Sequence, residues 1–467
     1  MHSAASRELV MASEIKRNKY EMDMCSGPLM GKLISFSIPL ALSLNLQLLF
    51  NAVDIIVVGK FSGSQALAAV GSTSALINLV LTLLIGISLG TNVLAGQSFA
   101  TGDRQAMEDT VHTSMAFALA GGVVLGVLAI GCARWALELM DTPGEVLEQA
   151  VLYMRVYFLG MPFFMMYNYG AAVLRAVGDT KRPLVFLVIA GVLNAGLNMV
   201  LVIRFHMGVL GVAVATVISQ IVSCIMVLWC LIKTDGSYRL QFSKMKIKIA
   251  YLRPLFRIGL PAGLQSLVIS FSNVLLQSSV NSFGEIAMAG YTAANNVFGF
   301  LYATVNSFSQ TCMSFISQNY GAQKWKRMDR VLLDCILLSV SVTVVLGGCV
   351  YVFGENILRI YTPSPEVIQC GMEVFLYTTS TYFICGIMDL LPGAMRGVGH
   401  STVPMLLSVI GTVGVRIFWI YCIFPTHHFL DVLFISYPVS WLVTVILQVI
   451  CYVTVRKKVY ASMNITE

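Results

Sequence analysis

Apolar runs of roughly 20 residues, each long enough to cross about 30 Å of hydrocarbon, recur along this whole chain between short polar breaks. Twelve of them fall near residues 33–57, 67–93, 114–138, 150–174, 183–204, 210–232, 255–280, 286–311, 331–353, 371–394, 404–424 and 432–455. With 57% of the residues apolar and 11% charged, and a mean hydropathy of +0.79, no soluble layered fold accounts for the pattern. Within lipid every backbone polar group must be satisfied inside its own segment, so the expectation is an all-α integral membrane protein of twelve spanning helices.

The basic residues set the orientation, because Lys and Arg are retained on the cytoplasmic side. With the N-terminus inside, 24 of the 30 fall in cytoplasmic segments, five fall outside, and Arg416 lies within a span. Acids such as Glu138, Asp141, Glu145 and Glu148 collect on the outer side instead. The net charge of +7 is thus a topology signal and does not argue for nucleic-acid binding. Residues 1–31 are polar, with Lys16, Arg17 and Lys19, and lack the apolar core and cleavage site of a removable signal, so the first span is expected to remain as an anchor. The predicted location is the cell (inner) membrane, multi-pass, with both termini cytoplasmic.

The polar punctuation is written twice. LRAVGDTKRPL at 174–184 and MRGVGHSTVPM at 395–405 match Arg175 with Arg396, Gly178 with Gly399 and Pro183 with Pro404, all 221 residues apart. Pro39 answers Pro261, Asn51 answers Asn273 and Gln97 answers Gln318 at 221 or 222 residues. The chain therefore reads as two homologous halves of six spans each. An even number of spans gives both halves the same orientation, which requires a pseudo-two-fold axis along the membrane normal. The expected organisation is a cytoplasmic segment 1–31, an N-terminal lobe 32–232, a linker 233–254, a C-terminal lobe 255–455 and a tail 456–467. The linker lysines Lys244, Lys246 and Lys248 fit positive-inside retention, with lipid head-group contact as the other reading.

Several function classes are excluded or disfavoured. The eleven cysteines are scattered through apolar runs without metal spacing. His427 and His428 are the only adjacent histidines, and a solvated outer loop accounts for them. No phosphate-cradling glycine loop with its lysine is present. No nucleophile, base and metal constellation can be assembled from the intramembrane polar residues, so an enzyme is not expected, and no cofactor.

Twelve spans as six plus six, the Asp in NAVDIIVVGKFSG after a span-one proline, the GQ and SQNYGA elements, and the paired inner loops resemble the multidrug and toxic compound extrusion (MATE) transporters, nearest the DinF-like branch. The resemblance covers about Gly31 to Lys458. It implies a secondary antiporter, with drugs or organic cations as its small-molecule partners, moved through a cleft that alternates between the two faces in exchange for H⁺ or Na⁺. The protein would act as a monomer among membrane lipids. A lipid-linked saccharide flippase of the same superfamily is the alternative, but such proteins commonly have extra spans and several cationic cleft residues, whereas only Arg416 is mid-span here.

Asp54 carries the strongest chemistry. An ionised carboxylate in lipid costs several kcal/mol, so it must face protein or a water-filled cavity. Burial favours the protonated carboxyl and a bound cation favours the carboxylate, which makes proton and cation compete for one site; a purely structural tie between helices is the other reading. By position in the family, Asn194 and Asn198, one turn apart in span five, and Thr216 in span six match residues placed around the span-one carboxylate, with a possible Na⁺ site at Asp54, Asn194, Asn198 and Thr216. Two departures stand out: related members have an acid where this chain has Asn198, and often Tyr where it has Phe50. Asn194 and Asn198 could equally be hydrogen-bond glue. In the second half Asp389 and Arg416 are possible functional charges; Arg416 needs a counter-charge or carbonyl cap, and Asp389 is the nearest candidate in type. Arg175 and Arg396 close their helices, with snorkelling to phosphates as the simple account, and Gly178 and Gly399 are expected in turn conformations. The apolar and aromatic residues from Met161 to Tyr167 either pack or line an adaptable cavity.

Overall fold

The computed structural model describes residues 20–461, and Lys16, Arg17 and Lys19 lie outside them. The described chain is built from helices: α1 (Leu29–Phe61), α2 (Gly63–Thr101), α3 (Arg104–Leu139), α4 (Gly144–Leu159 with Met161–Ala176), α5 (Lys181–Arg204), α6 (Gly208–Lys233), α7 (Ile249–Asn281), α8 (Glu285–Gly321), α9 (Trp325–Val352), α10 (Pro365–Thr379 with Tyr382–Gly397), α11 (Thr402–Thr426) and α12 (Leu430–Ala461). Among the described residues, nine of these are single helices apolar and long enough to span, and α4 and α10 qualify as pairs bent by 45° and 50°. The remaining helix, α8, runs for 37 residues but is more polar. Its Ser307, Ser309, Thr311, Ser314, Gln318 and Asn319 are buried against other helices rather than in lipid, which is why polarity is tolerated there.

Local sequence explains the punctuation. Gly102 takes a left-handed φ of +73° after α2, and Asp103 then caps α3 by accepting a hydrogen bond from the Ala106 N–H at 2.9 Å. Pro162, in the first turn after the joint at Gly160, has no N–H to continue the preceding helix, so the fourth span bends where an uninterrupted run 150–174 was expected. Helix α5 passes into a π-helical turn at Met199–Arg204, and α11 carries two, at Val409–Gly414 and Trp419–Ile423. Such turns rotate the side chains that follow them relative to an α-helical register.

Helices α1–α6 and α7–α12 form the two lobes, related by the pseudo-two-fold. They meet along α2–α7 and α1–α8, and the α2–α7 contact is the most extensive between any two helices. Its cause is small residues at four-residue spacing on both partners, Gly86 and Gly90 on α2 and Gly259 and Gly263 on α7. A side chain at Gly86 would collide with the backbone of Gly263, and one at Gly90 with that of Leu255. The α1–α8 seam is filled with large groups instead, Phe36 meeting Phe315 edge-on with centroids 5.6 Å apart.

The end of the molecule that carries the linker is sealed by a symmetric pair of bonds. Gln97 on α2 donates to the Gly397 carbonyl at the end of α10 at 2.9 Å, and Gln318 on α8 donates to the Ala176 carbonyl at the end of α4 at 2.6 Å. Each glutamine therefore ties its own lobe to the other one. Toward the opposite end the seams give way to cavities.

Candidate functional site

The first lobe encloses a cavity of about 460 Å³, lined by the half of α1 from Leu44 to Asp54, the middle of α2, and residues of α4, α5, α6 and α8. Asp54 is half-buried on its wall. Asn198 donates from Nδ2 to Asp54 Oδ1 at 2.5 Å and approaches Asn194 Oδ1 at 3.2 Å, while Asn194 Nδ2 reaches Thr216 Oγ1 at 3.4 Å. Thr216 in turn donates to the Val212 carbonyl at 3.0 Å. The four residues singled out in the sequence thus form one continuous chain across α1, α5 and α6. The one-turn spacing of Asn194 and Asn198 puts both amides on one face of α5, and the π-helical turn begins immediately after Asn198.

No basic residue forms an ion pair with Asp54 among the described residues. The carboxylate therefore depends on an amide donor, a proton or a ligand for compensation. The buried Oδ1 of Asn198 accepts no hydrogen bond. With its N–H aimed at Asp54, Asn198 supports the carboxylate as a donor; a Na⁺ ion at the same place would need that free oxygen turned toward it, since the ion takes oxygen ligands only. No group of three or more His, Cys, Asp or Glu suited to a metal occurs among the described residues.

Sequence reasoning missed the aromatic and amide wall opposite Asp54. Tyr153 and Tyr157 of α4 lie close enough to interact electrostatically with its carboxylate, and Tyr157, Asn168, Gln220 and Asn51 also line the cavity. The available signal was the four-residue spacing of the two tyrosines. Phe50, the departure noted above, fits flat against Gly191 of α5, where any side chain would collide with its ring. Of the α4 stretch, Met161, Met165 and Met166 are core residues, whereas Phe164 and Tyr167 face the cavity.

The second lobe holds a smaller cavity of about 220 Å³, and Gly299 and Tyr302 of α8 belong to the walls of both. Arg416 and Asp389 line it without pairing. Of the two compensations expected for Arg416, the counter-charge from Asp389 is not found and a carbonyl cap is: Arg416 donates from Nη1 to Asn273 Oδ1 at 2.8 Å and Ser272 Oγ at 3.5 Å, and from Nε to Ser440 Oγ at 3.2 Å, with its guanidinium carbon 4.5 Å over the Tyr437 ring. Three neutral acceptors and one aromatic face provide the compensation that a carboxylate was expected to give. Asp389 lies near Arg396 and Tyr302 instead.

The inner-loop arginines also depart from the snorkelling account. Arg396 turns inward and donates from Nη2 to Gln265 Oε1 at 2.5 Å, and Arg175 sits beside Tyr167 with its Nε buried. Gly178 and Gly399 both have left-handed φ, +97° and +88°. Their surroundings differ: a side chain at Gly178 would strike Met22 of the N-terminal segment, whereas Gly399 is open.

A polar network around an unpaired carboxylate beside a large cavity, inside two pseudo-symmetric lobes joined at one end, fits a multi-pass membrane transporter rather than an enzyme. The sequence profile of the MatE family matches residues 39–200 and 261–422, once in each half. The chain belongs to this family, the MATE transporters. It is 30% identical over 436 residues to the probable multidrug resistance protein YoeA of Bacillus subtilis (strain 168), covering 91% of this chain and 93% of that protein. It is 25% identical to the probable multidrug resistance protein NorM of Thermotoga maritima, over 81% of this chain and 82% of that one. Among solved structures it superposes with a TM-score of 0.86 on a MATE transporter in complex with MaL6, at 20% identity over 94% and 98% of the two chains. A multidrug resistance MATE family transporter described as outward-facing superposes at 0.85, with 20% identity over 95% and 98%.

Proposed function

We propose that this protein is a secondary multidrug antiporter that exports amphipathic organic cations in exchange for H⁺, with Asp54 as the shared site. The observation that carries the reading is Asp54 itself, a carboxylate with no basic partner among the described residues, held by the Asn198 amide on the wall of the larger cavity. The relatives named as multidrug resistance proteins support the substrate class. A proton neutralises the carboxylate and leaves the cavity able to release an organic cation; ionisation restores its affinity for the next one. Asn194, Asn198 and Thr216 position and desolvate the carboxylate, and the aromatic wall of Tyr157, Phe164 and Tyr167 accepts flat apolar substrates of varied shape.

Alternating access follows from the two seams. The positive charge of the linker assigns its side to the cytoplasm, so sealing by Gln97, Gln318 and the glycine crossing of α2 with α7 corresponds to an outward-facing state in a cell membrane, with both termini inside. Rocking of the lobes breaks these contacts and opens the cavity inward. Coupling requires that proton and drug bind the two states differently, and one contested carboxylate supplies that requirement.

The experiment is uptake of a cationic dye into proteoliposomes with pH and Na⁺ gradients imposed separately. An acidic interior alone should drive accumulation, about tenfold per pH unit for one-to-one exchange, since one unit is worth about 1.4 kcal/mol. Accumulation driven only by Na⁺ would replace H⁺ as the coupling ion, and no accumulation under either gradient would refute antiport.

A further inference from the structure

The second-lobe cavity is unused by the mechanism above, and its chemistry is opposite to that of the first. We infer that it is an anion subsite centred on Arg416, which receives a carboxylate or similar oxyanion carried by the transported molecule, so that zwitterionic amphiphiles are bound across both cavities. The inference rests on the reading of the first cavity as a cation site and adds to it a second substrate determinant.

Four observations converge. First, Arg416 is 3% exposed, in the middle of α11, yet none of its partners carries a formal charge. A guanidinium held by neutral acceptors keeps its full positive charge, and removing such a charge from water is costly unless something compensates it. Second, its hydrogen bonds engage Nε and Nη1 and leave Nη2 without an acceptor, on a residue that lines open space. A planar fork with one free arm is suited to an incoming oxyanion. Third, the one acid among the described residues of the cavity wall, Asp389, forms no ion pair with Arg416 and has Arg396 and Tyr302 as its electrostatic neighbours. The charge of Arg416 is therefore not met by the acid on its own wall. Fourth, α8 presents Gly299 and Tyr302 to both cavities, and at Gly299 the wall between them carries no side chain. A flat molecule can rest its cationic end toward Asp54 and its anionic end toward Arg416.

The pseudo-two-fold sharpens the contrast. The offset of 221 residues fixed by Pro183 and Pro404 carries Asn168 onto Asp389 and Ala195, the neighbour of Asn194, onto Arg416. Arg416 thus lies, in its lobe, next to the position that Asn194 has in the Asp54 network. The π-helical turn at Val409–Gly414, which precedes Arg416, sets its rotation.

The test uses two dyes that differ only at one group, rhodamine 110, which bears a free carboxylate, and rhodamine 123, its methyl ester. Dissociation constants are measured by fluorescence polarisation on the purified full chain in detergent without added anionic lipid. Wild type should favour rhodamine 110, and Arg416→Gln should reduce the ratio of the two affinities about tenfold, the effect of one charge-assisted hydrogen bond. Arg416→Lys, which keeps the charge and loses the fork, should fall between them. A wild-type preference for the ester, or a ratio untouched by Arg416→Gln, overturns the subsite. Because the wild-type ratio is read without any variant, misfolding of Arg416→Gln does not shield the proposal. Asp54→Asn run alongside separates the two ideas: loss of rhodamine 123 affinity there supports the cation site whatever Arg416 does, and its retention refutes that site without bearing on the ratio.

Discussion

The two lobes share a fold and a repeat but carry opposite chemistry at their centres. In the first, a carboxylate from α1 is held by the Asn198 amide of α5; in the second, the corresponding stretch of α7 offers Ser272 and Asn273, and the charge sits on α11 as Arg416. At the sealed end the halves remain equivalent, Gln97 and Gln318 making the same bond to the opposite lobe. Duplication thus preserves the contacts that join the lobes, while the residues at the centres of the two cavities have diverged.

The largest separation between the lobes should come from their acids. Asp54→Asn should abolish gradient-driven accumulation of a cationic dye, whereas Asp389→Asn should retain a pH-dependent gradient even if its rate falls; equal loss in both, measured in proteoliposomes, would erase the distinction. Next is pH. Protonation competes with the dye, so the wild-type dissociation constant should increase up to about tenfold for each unit that pH falls once the carboxyl is taking up protons. In Asp54→Asn the same titration by fluorescence polarisation should be flat.

A smaller effect is expected at the seam, where the lobes should behave alike. Gln97→Ala and Gln318→Ala each remove one inter-lobe hydrogen bond of about 1 kcal/mol, which shifts the balance of states about fivefold. In a cysteine-free background, thiol labelling of Ser317→Cys, buried at this seam, should quicken by that factor in either variant. A large difference between them would show that the symmetry is not functional. The smallest change is Asn198→Asp. It adds an oxygen ligand and a charge beside Asp54, and should raise Na⁺ sensitivity of dye binding a few-fold without stopping transport.

How much of this was legible in the sequence depended on rarity. Asp54, Asn194 and Asn198 stand out because polar groups within apolar runs are costly, and their spacing placed both amides on one face. Tyr153, Tyr157 and Gln220 did not stand out, since such residues are ordinary in spans and only the packing of the helices brings the two tyrosines near Asp54. The Arg416–Asp389 pairing failed for a related reason: complementary charge gives no rotation about a helix axis, and the π-helical turns of α11 aim Arg416 at α7 and α12. The bend of α10 has no proline at its joint between Thr379 and Tyr382, so nothing in the local sequence announced it. Polar α8 was found as a span because 286–311 still reads as an apolar run, its small polar residues being spread along it.

The central claim is that Asp54 gives up a proton when a cationic drug binds. Proton release on addition of rhodamine 123 to the purified protein, followed with a pH-indicator dye in weakly buffered detergent, measures that exchange directly. At a pH where the carboxyl is mostly protonated, the account predicts close to one proton released per dye bound in wild type and none in Asp54→Asn. Equal release from both proteins would contradict it.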